Sequence, residues 1–301
     1  MSLSGSIAMA VLRLVKPGRG SFTDVEKSRR KAEKENAAFT FSMPKSKKAD
    51  LALLPETEKP CLIIRPHRRK NADKAILYIY GGVTNQWKTQ KSMAISYAAA
   101  AGTEVWYPVY PAVTEVSLEE TVAYLADIYR KMTERFSPDK IVLSGVSMGG
   151  FFALQIINYI NQRMPDIPMP GLVLAHSPGG MPDNERDWKR MRKYARRDPL
   201  FSEGDLRVLE ELIPHQETFP GWLLYPARGD FRNAPPTYLY YGEEMLAGNA
   251  AFYRRAFKRS GAADRLHIQI TRNMMHGYSC MPVFPESKKS YGETLELIRR
   301  L

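Results

Sequence analysis

The segment from Lys140 to Ile160 constrains the fold of this chain more than any other. It opens with a β-branched and apolar run over 141–143, typical of a strand buried on both faces. It closes with apolar residues at helical spacing over 151–160. The pentapeptide GVSMG (145–149) joins the two, and a strand–GxSxG–helix segment is the pattern of a nucleophile elbow. We therefore predict that Ser147 is a catalytic nucleophile and that the Met148 N–H points toward an oxyanion.

Strands alternate with helices along the rest of the chain, which predicts an α/β fold with a mainly parallel sheet covered on both faces. No linker or composition break separates a second domain, so we expect one domain over 1–301. The irregular span 177–236 is predicted to be an excursion on the substrate side. The predicted strands are 37–42, 61–65, 75–80, 103–107, 141–143, 171–175, 237–241 and 266–271.

Composition and cysteine usage are those of an ordinary globular protein. The chain has 301 residues, of which 44% are hydrophobic and 25% charged. Two cysteines far apart, Cys61 and Cys280, do not suggest a disulfide framework and favour a reducing, cytoplasmic setting. The apolar run near the start is too short for a transmembrane helix and poor as a signal peptide, so we expect no stable membrane insertion.

The formal net charge is +12, and the excess lies in clusters such as 65–70 and 186–197. Such a surface can attract anionic partners. No nucleic-acid-binding motif or interleaved aromatic residues accompany the clusters, so we interpret them as solvated charge and expect no nucleic-acid partner. The sequence leaves the oligomeric state open, a homodimer included.

A nucleophilic serine needs a base, and the chain offers five histidines. His67 lies in a basic cluster, His267 alternates with apolar residues in a strand, and His215 follows a helix in a polar loop. His176 lies just past the predicted strand 171–175, near the sheet edge where ligands bind, which makes it a candidate pocket residue. His276 follows the last strand at that edge and comes last in the order serine, acid, histidine, so it is the favoured base.

The base in turn needs an acid, which should follow the strand 237–241. Glu243 and Glu244 both lie there, and the residues alone do not separate them. Asp230 precedes the strand and would fall at the opposite edge.

A glycine pair after the buried strand 75–80 suits an oxyanion hole, because glycine lets backbone N–H groups approach closely. The candidate donors are Gly81, Gly82 and Val83, together with Met148. The spacing of Cys and His fits no metal motif, so we expect neither a metal nor an organic cofactor.

Together these motifs resemble the α/β-hydrolase fold, in particular its hormone-sensitive-lipase-like esterase branch. The resemblance runs from Cys61 to the C-terminus: 80–83 (YGGV) resembles the branch's His-Gly-Gly-Gly, 107–111 its Tyr-Arg-Leu-Ala-Pro, and 276–278 its His-Gly-Phe. It implies an eight-stranded sheet and a lid formed by 1–36 and part of 177–230.

The resemblance also bears on individual residues. The branch's Asp-Pro-Leu acid motif corresponds to Glu244-Met245-Leu246, which favours Glu244. Tyr80 and Val83 stand where the branch has histidine and glycine, and both are expected to narrow the substrate pocket.

The function that the resemblance implies is hydrolysis of short to medium acyl esters, with a small-molecule ester as substrate. A lactonase, amidase or peptidase using the same triad remains an alternative, as does a ligand-binding protein that kept only the fold.

Overall fold

An eight-stranded β-sheet forms the centre of the protein in this computed structural model, which describes residues 2–15, 20–213 and 218–301. The strands are β1 (Ala49–Leu53), β2 (Cys61–Pro66), β3 (Ala75–Ile79), β4 (Glu104–Pro108), β5 (Ile141–Val146), β6 (Leu172–His176), β7 (Thr237–Tyr241) and β8 (Leu266–Ile270). Their order in the sheet is β1-β2-β4-β3-β5-β6-β7-β8. β2 is antiparallel to both of its neighbours, and all other pairs are parallel. The predicted α/β class and the eight-stranded, mainly parallel sheet are confirmed.

Helices cover both faces of the sheet. They are α1 (Leu3–Val15), α2 (Val25–Ala37), α3 (Trp87–Ala101), α4 (Leu118–Thr133), α5 (Met148–Arg163), α6 (Glu185–Ala195), α7 (Glu203–Leu212), α8 (Ala250–Arg259) and α9 (Pro285–Arg300). From β3 the chain crosses to β4 on one side and from β4 to β5 in the opposite direction, so right-handed crossovers place α3 and α4 on opposite faces. α5 packs with α4, and α9 packs with α3.

The core follows from the apolar strands predicted in the sequence. Every residue of β3, β4, β5 and β6 is buried. Burying one large aliphatic side chain contributes about 1.5–3 kcal/mol, so these strands fix the sheet and hence the edge at which their loops meet.

One predicted strand is wrong. Residues 38–42 form no strand, although aromatic and small residues alternate there. Phe39 and Phe41 instead contact the same ring, that of Trp87, with centroids 6.5 and 5.1 Å away. β1 lies further on, inside the polar segment 44–60 that the sequence pattern assigned to a connection. β1 is an edge strand and only Ala49 of its five residues is buried, which explains why its apolar pattern is weak.

The N-terminal helices and the 177–230 excursion pack on each other above the sheet. α2 contacts α7. The Asp205 carboxylate accepts the backbone N–H of Gly20 at 3.2 Å and of Phe22 at 3.0 Å, while Arg13 donates to the Arg197 carbonyl at 3.2 Å. Among the described residues, no helix combines the length and apolar character needed to cross a bilayer.

Candidate active site

Ser147 lies in a tight turn between β5 and α5. Its backbone has φ 58° and ψ −121°, a region that costs a non-glycine residue about 1–3 kcal/mol. Glycine is required on both sides of the turn. A Cβ on Gly145 would stand 2.4 Å from the Gly149 carbonyl carbon, and one on Gly149 would stand 2.0 Å from the Ile79 oxygen. The pentapeptide therefore adopts the geometry that its glycines predict.

Three backbone hydrogen bonds hold the strained residue in place. The Ser147 N–H donates to the His176 carbonyl at 2.8 Å. The Ser147 carbonyl accepts from Phe151 at 2.9 Å and from Gly179 at 3.2 Å. Strain of this kind persists only where its surroundings impose it, and it is typical of functional sites.

A carboxylate and an imidazole meet at the same edge of the sheet. Glu244 follows β7, His276 follows β8, and the His276 Nδ1 is hydrogen-bonded to Glu244 Oε2. The Glu244 side chain is fully buried and the His276 side chain is 13% exposed. Glu244 Oε1 accepts the Ser177 hydroxyl and, at 3.2 Å, the N–H of Gly242. The carboxylate is thus fixed from both sides.

The electrostatics favour a protonatable His276. Burial lowers the pKa of His276, but the charge of Glu244, its hydrogen bond and the charge of Asp198 outweigh burial and raise that pKa above its ordinary value of 6.5. Asp198 is itself buried, and burial together with the Glu244 charge raises its pKa. Phe201, from the excursion, covers the His276 ring edge-on with centroids 5.4 Å apart.

The loop of His276 lies against the elbow. A Cβ on Gly277 would stand 3.2 Å from Val146 Cγ2. Gly277, which follows His276, therefore lies beside Val146, which precedes Ser147. Among the hydrogen bonds of the described residues, none joins the Ser147 hydroxyl to the His276 ring. Such bonds are often long without substrate and tighten when it binds.

The other candidate acid has a different environment. The Glu243 carboxylate pairs with Arg197 and, at 3.4 Å, with Arg13. It also accepts the N–H of Asn273 at 3.3 Å. Glu243 therefore ties the excursion and α1 to the loop that precedes His276, and it makes no hydrogen bond to that ring among the described residues.

The oxyanion loop needs one correction. The Gly81 N–H donates to Gln90 Oε1 at 3.0 Å, and Gln90 Nε2 donates back to the Gly81 carbonyl at 3.1 Å. The predicted donor Gly81 is thus already occupied. The N–H groups of Gly82 and Val83 have no acceptor among the described residues, and that of Met148 has none because it begins α5.

The two predicted pocket residues also lie elsewhere. Tyr80 is buried in the core, where its ring stacks on Tyr110 with centroids 4.2 Å apart, so its bulk does not border the substrate. His176 is buried on the face covered by α3 and α9, where its Nδ1 is 2.7 Å from Ser279 Oγ and its ring stacks on Tyr240. His176 is the last residue of β6 and Tyr80 directly follows β3, so both side chains are still buried against a face of the sheet.

Two residues that hold the site were not found from the sequence. Ser177 has φ 49° and its Oγ accepts the Gly277 N–H at 2.9 Å while donating to Glu244. Gln90 orients the oxyanion loop from α3. The available signal for Ser177 was its place directly after β6, at the edge where Ser147, Glu244 and His276 converge.

A cavity of about 250 Å³ lies beside the oxyanion loop. Gly82 and Val83 line it from the loop, and Phe22, Lys31 and Ala32 line it from the N-terminal segment. Val83 therefore borders this cavity, and its place beside the substrate stays a prediction.

The remaining candidates lie away from this site. His267 stacks on Tyr238 in the sheet, His67 is 3.3 Å from Asp50 near the surface, and Asp230 pairs with Arg232. His215 lies outside the described residues. Within the described ranges, no three His, Cys, Asp or Glu side chains are grouped to hold a metal ion.

Comparison with known proteins extends over most of the chain. A family model described as the alpha/beta hydrolase fold matches residues 76–280. No curated protein matches the chain. Similar solved structures include an esterase/lipase from an uncultured bacterium, with 19% identity, coverage of 100% of this chain and 99% of that one, and a TM-score of 0.78.

Two further similar structures carry the name of the branch. The hormone-sensitive-lipase homologue EstE7 from a metagenome library is 20% identical, with coverage of 100% and 99% and a TM-score of 0.76. An esterase from the bacterial hormone-sensitive lipase family is 22% identical, with coverage of 100% and 98% and a TM-score of 0.75. At these identities the likeness shows the fold, and the family model covers more than half of the chain. The chain belongs to the alpha/beta hydrolase fold family.

Proposed function

We propose that the protein is a serine hydrolase that cleaves carboxylic esters of short to medium acyl chains. One observation carries the proposal: a buried carboxylate–imidazole pair, Glu244 and His276, meets a strained serine elbow at one edge of the sheet. Such a pair makes the serine hydroxyl nucleophilic, and it does so on unrelated folds that share only this geometry.

The first half of the reaction forms an acyl-enzyme. Glu244 accepts a hydrogen bond from the Nδ1–H of His276, which fixes the tautomer whose Nε2 lone pair takes the Ser147 proton as Oγ attacks the ester carbonyl carbon. The N–H groups of Gly82, Val83 and Met148 then stabilise the oxyanion. Collapse of this intermediate breaks the ester C–O bond, and His276 gives its proton to the departing alcohol.

The second half reverses the roles with water. His276 Nε2 takes a proton from water as the water oxygen attacks the acyl carbon, and the same N–H groups hold the second oxyanion. The C–O bond to Ser147 breaks, Oγ recovers its proton from His276, and the carboxylic acid leaves.

The cavity and the packing of the excursion support a small substrate. At about 250 Å³ the space beside Val83 is smaller than usual ligand pockets, which span about 300–1,000 Å³. We propose that 1–36 and part of 177–230 form a lid, because Phe201 covers His276 and Phe22 and Ala32 wall the cavity. Some relatives of similar fold are named esterases, which agrees with an ester substrate.

Two free cysteines, Cys61 and Cys280, favour a cytoplasmic location.

The test is hydrolysis of p-nitrophenyl esters from acetate to palmitate, beside a matched p-nitroanilide that replaces the ester oxygen by nitrogen. We expect the highest kcat/KM at short to medium chains, because overfilling a packed pocket costs about 1–3 kcal/mol, and a lower value for the anilide. Preference for the anilide would favour an amidase. No turnover of any ester would favour a protein that only binds ligands.

A further inference from the structure

A second cavity, of about 300 Å³, lies on the sheet face covered by α3 and α9. Tyr78 and His176 line it from the sheet, and Met93, Tyr97, Tyr291 and Cys280 line it from the two helices and the turn after His276. None of its lining residues borders the cavity beside Val83. It is therefore separate from the candidate substrate site.

The wall of this cavity carries no charge. Its ten lining residues include no Lys, Arg, Asp or Glu, although such residues make up 25% of the chain. Burial lowers the pKa of His176 to about 4 and raises that of Cys280 to about 12, so both are neutral near pH 7. An ionic ligand would lose its hydration here without gaining a counter-charge. The occupant must be uncharged.

A buried polar group at the cavity lacks a hydrogen-bond partner among the described residues. His176 uses Nδ1 for Ser279, and no described residue hydrogen-bonds to its Nε2. Buried polar groups left in this way cost stability, so a ligand group that both donates and accepts a hydrogen bond would gain at this place.

We propose that this cavity is an accessory binding site for an uncharged ligand that has an apolar, ring-sized body and one hydroxyl group. An enclosed apolar cavity of about 150 Å³ takes benzene, so a space of about 300 Å³ suits a body of two fused rings or an equivalent aliphatic group. The three tyrosines and Met93 form the apolar wall, and His176 Nε2 receives the hydroxyl.

The site is linked to the turn after His276. His176 Nδ1 is 2.7 Å from Ser279 Oγ, and Cys280 Sγ donates to the Gly277 carbonyl at 3.0 Å. A ligand bound against His176 and Cys280 restrains residues 277–280, and these in turn restrain His276. This effect on His276 rests on the proposed function, whereas the binding of the ligand does not.

The probe is 2-naphthol, and its binding is measured by calorimetry on the full chain. Naphthalene lacks the hydroxyl, and 2-naphthoate carries a charge in its place. His176→Phe removes the ring nitrogens and keeps an aromatic ring, so we expect 2-naphthol to bind about tenfold more weakly and naphthalene to change by less than about twofold. We expect no binding of 2-naphthoate.

A pair of substitutions on α3 locates the site. Ser96→Trp places an indole at the cavity from an exposed position and should abolish binding of 2-naphthol, whereas Ala100→Trp, exposed on the same helix but outside the lining, should not. Equal binding to both variants, or no binding to the wild type, overturns the proposal. Binding with an unchanged rate of ester hydrolysis would overturn only the link to His276. Because calorimetry measures binding and not hydrolysis, this test remains valid even for a protein without esterase activity.

Discussion

Replacing Glu244 by glutamine removes the charge beside His276 and keeps the size of the side chain. The orientation of the new amide follows from the structure. Glu244 Oε1 accepts the N–H of Gly242 and the hydroxyl of Ser177, and Ser177 Oγ itself accepts the N–H of Gly277, so its proton is directed at Oε1. A glutamine therefore keeps its oxygen at that position and turns its NH₂ group toward His276 Nδ1.

An NH₂ group facing Nδ1 requires Nδ1 to be an acceptor, which puts the ring proton on Nε2. His276 then cannot take the proton of Ser147. In a serine protease the corresponding change of tautomer lowers kcat by about 10⁴-fold, which is about 5 kcal/mol of transition-state stabilisation. We expect a loss of this size with p-nitrophenyl butyrate as substrate, measured as kcat and KM, with thermal unfolding to show that the variant is folded.

Glu243→Gln is the matched control, since it makes the same exchange one residue earlier. Glu243 pairs with Arg13 and Arg197, whose side chains are 30% and 60% exposed, and pairs of this kind contribute about 1 kcal/mol or less. We expect kcat to fall by no more than about fivefold. A loss in Glu243→Gln that equals or exceeds the loss in Glu244→Gln refutes the assignment of the acid.

Further predictions concern the groups around this pair. Ser177→Ala leaves the Gly277 N–H without its acceptor, so kcat should fall about 10-fold to 100-fold and the free energy of unfolding by about 1–3 kcal/mol in a denaturant titration. The raised pKa of His276 places the acid limb of the kcat/KM profile above pH 6.5, because the protonated ring cannot act as a base. The same shift contributes stability that is present below pH 6.5 and is lost as the pH rises through the raised pKa. An acid limb of kcat/KM that lies below pH 6.5 would contradict the raised pKa. Val83→Gly should extend the range of accepted acyl chains, and an unchanged chain-length profile would show that Val83 does not limit the pocket.

The central sheet was predictable because its strands are short apolar runs bounded by turns, and the site was predictable because parallel strands bring their following loops to one edge. Ser147, Glu244 and His276 each lie in a connection that follows a strand, so chain order and strand position were sufficient to nominate Ser147, His276 and the pair Glu243 and Glu244. Choosing between Glu243 and Glu244 needed the family resemblance.

The parts that the sequence did not predict depend on contacts between distant segments. Phe39 and Phe41 alternate as in a strand because both rings contact Trp87, which local periodicity does not indicate. The hydrogen bond from Gly81 to Gln90 removes one expected oxyanion donor. Ser177 holds Glu244 across 67 residues of chain, and nothing near Ser177 in the sequence indicates that partner.

The most direct test of the central claim is the site of covalent attachment of a fluorophosphonate, mapped by mass spectrometry of the digested protein. Ser147 is partly exposed at the elbow, where we propose that His276 activates it, whereas Ser144, three residues earlier in β5, is buried. We predict one adduct, on Ser147, retained in Ser144→Ala and absent from Ser147→Ala, which also loses esterase activity by about 10³-fold or more. An adduct on another serine, or esterase activity that survives in Ser147→Ala, would contradict the account.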